Sequence, residues 1–243
     1  MGKYAKVAIL MRINNIMKRF SQFIYEGVDD PAIFKAVFLA GGPGSGKSFI
    51  VGKTGLPQLG FRVVNSDDAF EFMMKKAGKA MTSDEIFSDE GQAIRGRAKA
   101  QTKMKQDIYM KGRLGLVIDG TGKDLNKVIK QAKELQDLGY DTKMILVNTD
   151  LETAVKRDAQ RSRSLGRKKV TEYWKTVQKN IGALQTVFGR KNFMIVDNSE
   201  GKDYQKETLR AYKDVKKFVN KPPENPLAKK WIKQEKEKRG ITR

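Results

Sequence analysis

The sequence predicts an α/β fold in three layers, with helices on both faces of a mostly parallel sheet and helical extensions at the N- and C-termini. Two observations predict this fold. Short apolar runs recur along the 243 residues and alternate with longer segments of helical periodicity. The first run leads directly into a glycine-rich loop, and a helical segment follows that loop. Such a βαβ series is typical of parallel strands, because each crossover to the next strand needs a long connection, usually a helix.

The predicted elements follow one another in a regular order. Apolar residues recur at helical spacing over residues 11–26, which predicts an amphipathic helix. After Pro31, strands are predicted over 35–40, 61–65, 114–118, 142–148 and 193–196. Helices are predicted between them over 47–53, 89–112, 125–138, 151–162 and 171–187, with an arginine-rich break over 161–170.

This order predicts one catalytic domain with an extension at each end. We assign residues 1–30 to an amphipathic helical extension, 31–200 to the catalytic domain and 201–243 to a basic tail that is helical or flexible. From Lys202 onward, 14 basic residues stand against 6 acidic ones, and three prolines mark a break near residue 223. We therefore expect the end of the chain to be mobile.

The composition limits the partners, the catalytic groups and the location that can be expected of the chain. The 49 Lys and Arg residues against 28 Asp and Glu residues leave a formal charge of +21, which favours polyanionic partners such as nucleic acid or nucleotides. The chain has no Cys and no His, so a general base near neutral pH must be a carboxylate, a lysine or a tyrosine. No apolar run reaches the roughly 18–20 residues of a membrane span, and the first ten residues lack the apolar core of a signal peptide. We therefore expect a cytoplasmic protein without a membrane span.

The glycine-rich loop carries the clearest functional signal. Residues 41–48 (GGPGSGKS) satisfy the pattern GxxxxGK[ST] between a predicted strand and a predicted helix, which predicts a P-loop that binds ATP and Mg²⁺. Lys47 would bridge the β- and γ-phosphates, and the Ser48 hydroxyl would hold Mg²⁺. A chance glycine turn with a surface lysine is the alternative. The residues expected to bind the nucleotide are Gly42, Pro43, Gly44, Ser45, Gly46, Lys47, Ser48 and Phe49.

An acidic pair follows the second predicted strand. Asp67 or Asp68 could accept the proton of an acceptor hydroxyl during phosphoryl transfer, as carboxylates at this position do in P-loop kinases. The same pair could instead serve only as a helix N-cap.

A second acidic position closes the third predicted strand. Asp119 stands there, as a metal-side aspartate does, and Thr121 and Lys123 lie in the following turn, where a substrate would bind. A turn with a capping role is the alternative. Because the carboxyl ends of parallel strands line one crevice, we expect both acidic positions and Thr121 to converge near Lys47.

The arginine-rich break predicts a lid. Phosphoryl transfer develops charge on the transferred oxygens, and an arginine that closes over them would stabilise that charge and exclude water. Arg163 and Arg167 are the catalytic candidates in this segment, and a solvated basic loop is the alternative.

Four segments resemble the group of P-loop kinases that contains the zeta toxins and polynucleotide kinases. They begin at Gly41 (GGPGSGKS), Val63 (VVNSDDAF), Leu116 (LVIDGTGKD) and Ala154 (AVKRDAQRSRSLGRKKVTEYW), and the likeness covers residues 35–198. The resemblance implies a phosphate-binding lysine, a catalytic aspartate and lid arginines. Alignment on the aromatic Phe70 places that aspartate at Asp68, whereas alignment from Asn65 places it at Asp67. The basic residue that the family commonly has three positions later is replaced here by an acidic one, Glu71, when Asp68 is the aspartate.

Two functions follow as hypotheses. The first is an ATP-dependent kinase whose acceptor is a hydroxyl of a nucleic acid, a nucleotide or a nucleotide sugar. The second is a module in which ATP gates nucleic-acid binding with little or no turnover. The acidic pair discriminates between them, because only the kinase needs a base.

Overall fold

The computed structural model describes residues 27–161 and 164–241, and its centre is a sheet of five parallel strands. The strands are β1 (Lys35–Ala40), β2 (Arg62–Val64), β3 (Leu116–Asp119), β4 (Asp141–Asn148) and β5 (Phe193–Asp197). Their order across the sheet is β2-β3-β1-β4-β5. The strand that leads into the glycine-rich loop therefore lies in the middle, and Leu39 of β1 pairs in register with Asp119 of β3.

Nine α-helices connect or follow these strands within the described residues. They are α1 (Lys47–Thr54), α2 (Ser66–Lys76), α3 (Ser83–Phe87), α4 (Asp89–Lys111), α5 (Leu125–Asp137), α6 (Leu151–Ala159), α7 (Arg167–Phe188), α8 (Tyr204–Asn220) and α9 (Pro226–Lys238). None of the helices in this part of the chain has both the length and the apolar character that crossing a membrane requires.

The sheet separates two hydrophobic cores, which makes the fold three-layered as predicted. All six residues of β1 are buried, and successive side chains point to opposite faces. Phe38 packs with residues of α5 and α7 in one core, while Val37 and Leu39 pack with residues of α8 in the other. A central strand covered on both faces needs the continuous apolar run that the sequence shows.

A third, smaller core lies away from the sheet, between α2 and α4. Phe70 and Met74 of α2 are buried against Ile94 and Ala98 of α4, and the guanidinium of Arg95 lies 4.3 Å from the Phe70 ring centroid. The sequence predicted α4 almost to the residue but did not predict α2 or α3. This core matters for the site because it fixes the first turn of α2, which carries the acidic pair.

The chain after residue 201 packs against the sheet. Val215 of α8 is fully buried, and Ala228 of α9 lies in the core with Phe34. The carboxylate of Asp141 binds Lys35 at 2.8 Å and accepts the backbone N–H of Asn225, which ties the α8–α9 connection to the start of two strands. The expectation of a mobile end is therefore wrong for these two helices, because their apolar stripes complete the cores. The domain boundary at residue 200 stays a prediction.

Other predicted bounds differ from the structure at the arginine-rich break. Helix α6 ends at Ala159 and α7 begins at Arg167, so the end of the predicted break is helical. The amphipathic helix predicted over 11–26 lies outside the described residues.

Candidate phosphotransfer site

The loop between β1 and α1 has a backbone shape that requires glycine. Gly44 has φ +77° and Gly46 has φ +86°, in the left-handed region where a side chain is strained. A Cβ on Gly44 would lie 2.3 Å from the carbonyl oxygen of Ala154, so that position is also closed sterically. At Gly42 a Cβ would meet no atom of the described residues within 4 Å, so the described fold does not need glycine there.

A side chain from the far end of the sheet anchors this loop. Asn198, directly after β5, donates from Nδ2 to the carbonyl oxygen of Ser45 at 2.8 Å. Arg157 of α6 in turn donates from Nη1 to the carbonyl oxygen of Asn198 at 2.9 Å. The sequence analysis missed both anchoring roles. The signal available was a polar residue just past the carboxyl end of a strand, which is where ligand crevices form in such sheets.

The start of α1 is open to an anion. Gly46 occupies its N-cap position and supplies no side-chain cap, and Ser48 and Phe49 in the first turn are exposed. The first N–H groups of a helix lack intrahelical partners and lie at the positive end of its dipole. This arrangement is that of a phosphate-binding helix start.

Lys47 lies at the centre of the site. Its Nζ donates to the carbonyl oxygen of Gly41 at 3.1 Å, so the side chain folds back over the loop. Burial holds the pKa of Lys47 below its ordinary value, the negative charge of Asp119 opposes this shift, and the positive charge of Arg161 adds to it. A phosphate bound beside Lys47 would favour the charged ammonium.

One amide joins the two acidic positions. Asn65, directly after β2, donates from Nδ2 to Asp68 Oδ1 and to Asp119 Oδ2, both at 3.1 Å. Its Oδ1 accepts the backbone N–H of Asp67 at 2.8 Å, so Asn65 is the N-cap of α2. Neither aspartate is the N-cap, and both lie in the first turn of the helix. Asp68 and Asp119 therefore converge as predicted, and Asp119 and Asp67 lie close enough to Lys47 to influence its pKa. Sequence reasoning assigned no role to Asn65, which joins the two carboxylates.

The environment perturbs both carboxyl groups that Asn65 contacts. Burial raises the pKa of Asp119 above its ordinary value, Lys47 opposes the shift, and Asp68 adds to it. Partial burial also raises the pKa of Asp68, and the charges of Asp67 and Glu71 raise it further. A carboxylate whose pKa is raised towards neutrality is a better proton acceptor than an ordinary one.

The residues around Asp119 fit a magnesium ion. Asp119 Oδ1 is buried and has no hydrogen-bond partner among the described residues, which leaves an unsatisfied acceptor oxygen. Among residues 27–161 and 164–241, no three acidic side chains cluster as a ready metal cage. Mg²⁺ does not need such a cage, since it is usually held by one or two protein oxygens together with substrate phosphates and water. Asp119 Oδ1 is one such oxygen, and the role of the Ser48 hydroxyl as a second stays a prediction.

The turn after β3 is held beside the loop. The carbonyl oxygen of Thr121 accepts the N–H of Gly41 at 3.1 Å, and the buried Asn180 of α7 donates to the carbonyl oxygens of Gly122 and Lys123. Lys123 Nζ lies 3.8 Å from the ring centroid of Tyr173. The exposed Thr121 thus borders the loop, whereas the Lys123 ammonium stacks on an aromatic ring.

A cavity of about 290 Å³ opens beside Asp68. Its walls combine the end of β2 and the first turns of α2 with one face of α4. The lining includes Asn65, Asp68, Phe72, Gln101, Lys105 and Tyr109. Residues of α4 therefore line the candidate acceptor cavity, whereas Thr121 and Lys123, which were expected to bind substrate, do not line it.

A buried carboxylate organises the predicted lid. Asp158 is 1% exposed, and its Oδ2 accepts from Ser164 Oγ at 2.8 Å, from Leu165 N at 2.8 Å and from Gly166 N at 3.2 Å. The loop between α6 and α7 is thus fastened at its second half. The sequence analysis did not single out Asp158, because an acidic residue within an arginine-rich segment looks like a solvated charge.

The lid arginines occupy different places. Arg161 lies close enough to Lys47 to lower its pKa. Arg167 instead pairs with Glu152, with its Nη1 donating to Oε2 at 3.0 Å in an exposed ion pair. Arg163 lies outside the described residues. The catalytic roles predicted for Arg163 and Arg167 stay predictions.

Comparison with known proteins places this geometry in context. The model of the AAA domain family matches residues 37–184. A chain of the PezAT chromosomal toxin–antitoxin system of Streptococcus pneumoniae superposes with a TM-score of 0.52 at 14% identity, over 86% of this chain and 96% of that chain. A chain of AvrRxo1-ORF1:AvrRxo1-ORF2 with sulphate ions gives 0.53 at 13% identity, over 71% of this chain and 61% of that chain. No curated protein matches in sequence. These likenesses confirm the P-loop fold and, at the level of the fold, the family resemblance drawn from the motifs.

Proposed function

We propose that this chain, which belongs to the AAA domain family, is an ATP-dependent phosphotransferase that moves the γ-phosphate of Mg-ATP to an acceptor hydroxyl. The observation that carries this proposal is the Asn65 amide, which holds Asp68 and Asp119 together beside the Lys47 loop. A nucleotide-binding module needs the loop, but only a transferase needs a carboxylate of raised pKa facing an acceptor cavity.

The proposed reaction assigns one role to each group. The acceptor oxygen attacks the γ-phosphorus, the bond from that phosphorus to the β–γ bridging oxygen breaks, and ADP leaves. Asp68 takes the acceptor proton, and Lys47 with the N–H groups of α1 stabilises the charge on the phosphates. Asp68 fits this role because it lies on the wall of the cavity.

Magnesium and the lid complete the proposed site. Asp119 and Ser48 would hold Mg²⁺, which when bound neutralises charge on the phosphate oxygens. Arg161 would add positive charge near Lys47, and the loop fastened by Asp158 would cover the site against water. Exclusion of water favours transfer to the acceptor over hydrolysis of ATP.

The chemistry of the cavity fits a nucleic-acid, nucleotide or nucleotide-sugar acceptor. Phe72 and Tyr109 offer ring surfaces and Lys105 offers a positive charge, so the wall combines stacking and anion-binding groups. The net charge of +21 would attract an anionic acceptor of any of these kinds.

A second candidate is ATP-gated binding of nucleic acid with little or no turnover. The observation that favours it is the exposed basic surface of α4, which includes Arg97, Lys99, Lys103 and Lys105. Lysine and arginine rows of this kind bind phosphate backbones without reading sequence.

The test is transfer of labelled γ-phosphate from Mg-ATP to a panel of 5′-hydroxyl oligonucleotides, nucleosides, nucleotides and nucleotide sugars. Wild type is compared with Lys47→Ala and with the double variant Asp67→Asn/Asp68→Asn. We expect one acceptor class to be labelled by wild type and by neither variant. ATP-dependent retention of nucleic acid by the double variant, with no acceptor labelled by wild type, would favour the binding module instead.

A further inference from the structure

Two half-exposed aromatic side chains meet beside the phosphate loop. Phe49, in the first turn of α1, is 42% exposed, and Tyr204, the first residue of α8, is 49% exposed. Their ring centroids lie 5.8 Å apart with an interplanar angle of 70°. This edge-to-face contact is a favourable aromatic geometry. The two rings together present apolar surface at the rim of a polar site.

The rings lie at the same edge of the sheet as the loop. Helix α1 follows β1 and α8 follows β5, so both helices start at the carboxyl ends of parallel strands. The two helices run side by side in the same direction, because Phe49 and Tyr204 meet near their starts, while Gly55 after the end of α1 faces Tyr212 at the middle of α8. Asn198, which binds Ser45 of the loop, precedes Tyr204 by one short connection.

The direction of phosphoryl transfer sets where the nucleoside must go. The strand order places β3 and β2, with Asp119 and Asp68 after them, on one side of β1, and β4 and β5 on the other. The γ-phosphate has to face Asp68 for transfer to occur. The α-phosphate, ribose and base of the same nucleotide therefore extend away from Asp68, toward the side of the loop where α8 begins.

We propose that Phe49 and Tyr204 form a stacking platform for the base of the nucleotide whose phosphates occupy the loop at 41–48. This inference rests on the proposed function, since it takes the nucleotide and its orientation from the transfer reaction. The ligand class is a planar nucleobase carried on a triphosphate. The sequence predicted that Phe49, next to the loop, contacts the nucleotide. Tyr204 is assigned to the same surface only because its ring contacts Phe49.

Calorimetric titration with two ligands tests the platform, each in the presence of Mg²⁺. ATP carries the triphosphate and a base, and inorganic tripolyphosphate carries the phosphates alone. We expect Tyr204→Ala to weaken ATP binding by about 5- to 150-fold, since a base stacked on an aromatic ring gains that much, and to leave tripolyphosphate binding unchanged. Tyr204→Phe keeps the ring and should bind ATP as wild type does.

Leu209→Ala is the matched control, because Leu209 lies on the same helix and is 52% exposed. It should change neither affinity. If Tyr204→Ala weakens ATP and tripolyphosphate equally, or leaves both unchanged, the platform is overturned while the phosphate loop stands. If wild type binds neither ligand, both the platform and the proposed function are overturned.

Discussion

Alanine substitutions at three glycines test the anchoring of the phosphate loop, because the structure predicts a different loss of stability for each. Gly46 and Gly55 cap the two ends of α1, and both are left-handed, with φ +86° and φ +65°. A Cβ on Gly55 would make only ordinary contacts, the nearest at 3.8 Å, whereas a Cβ on Gly46 would lie 2.3 Å from Nδ2 of Asn198. Gly42 has neither a left-handed φ nor a close contact at its Cβ position.

The expected losses of stability differ accordingly. Gly55→Ala adds only the left-handed strain, roughly 1–2 kcal/mol. Gly46→Ala adds the same strain and displaces the buried Asn198 amide from its bond to Ser45, so we expect a total of roughly 2–5 kcal/mol. Gly42→Ala should stay within about 0.5 kcal/mol of wild type.

Urea unfolding of the three variants, followed by circular dichroism, measures these differences through the shift of the midpoint at constant slope. The predicted ranking is Gly46→Ala, then Gly55→Ala, then Gly42→Ala. Equal losses for Gly46→Ala and Gly55→Ala would refute the reasoning, because the contact with Asn198 would then contribute nothing to holding the loop.

Two further predictions concern the same site. Gly42→Ala should fold as wild type does but bind ATP at least tenfold more weakly in calorimetry, which corresponds to about 1.4 kcal/mol. The reason is that the added methyl group would occupy the open space of the loop. An unchanged affinity for ATP would contradict a phosphate lying there. Asp158→Ala should lower the free energy of unfolding in urea by roughly 1–3 kcal/mol, because the N–H groups of Leu165 and Gly166 lose their acceptor. The same variant should increase ATP hydrolysis relative to transfer. Ser164→Ala, which removes one donor of the three, is its control, and an equal effect of both variants would contradict the anchoring role of the carboxylate.

Local patterns along the chain predicted most of the fold. The fully buried β1 appears as an unbroken apolar run, and the glycines of the loop follow it at fixed spacing, so strand, loop and helix were all found from neighbouring residues. Helix α2 escaped prediction because it buries only Phe70 and Met74, too few apolar residues to set a period. The C-terminal tail was expected to be mobile for a related reason. Its many lysines obscure the apolar stripe that α8 buries against the sheet.

The site was predictable where one motif carries it and not where distant residues meet. Lys47 and Ser48 belong to a motif with its own mechanism, and Asp119 ends a recognisable strand. Asn65 and Asn198 are single amides whose importance depends on strand order, since β2 and β5 lie on opposite sides of β1. Strand order is a tertiary property, so spacing along the chain could not show which side chain would reach the loop.

The measurement that tests the central claim most directly is the pH dependence of phosphate transfer for wild type, Asp68→Asn and Asp67→Asn. The claim is that Asp68, held by Asn65 beside Asp119, is the base. A base works when deprotonated, so the wild-type rate should rise with pH through the raised pKa of Asp68 and then level off.

Asp68→Asn should lower the rate by about 100-fold or more. Asp67→Asn should keep the activity and shift the rise to lower pH, because the charge of Asp67 helps to raise the pKa of Asp68. The opposite pattern, with activity lost in Asp67→Asn and kept in Asp68→Asn, would contradict the account.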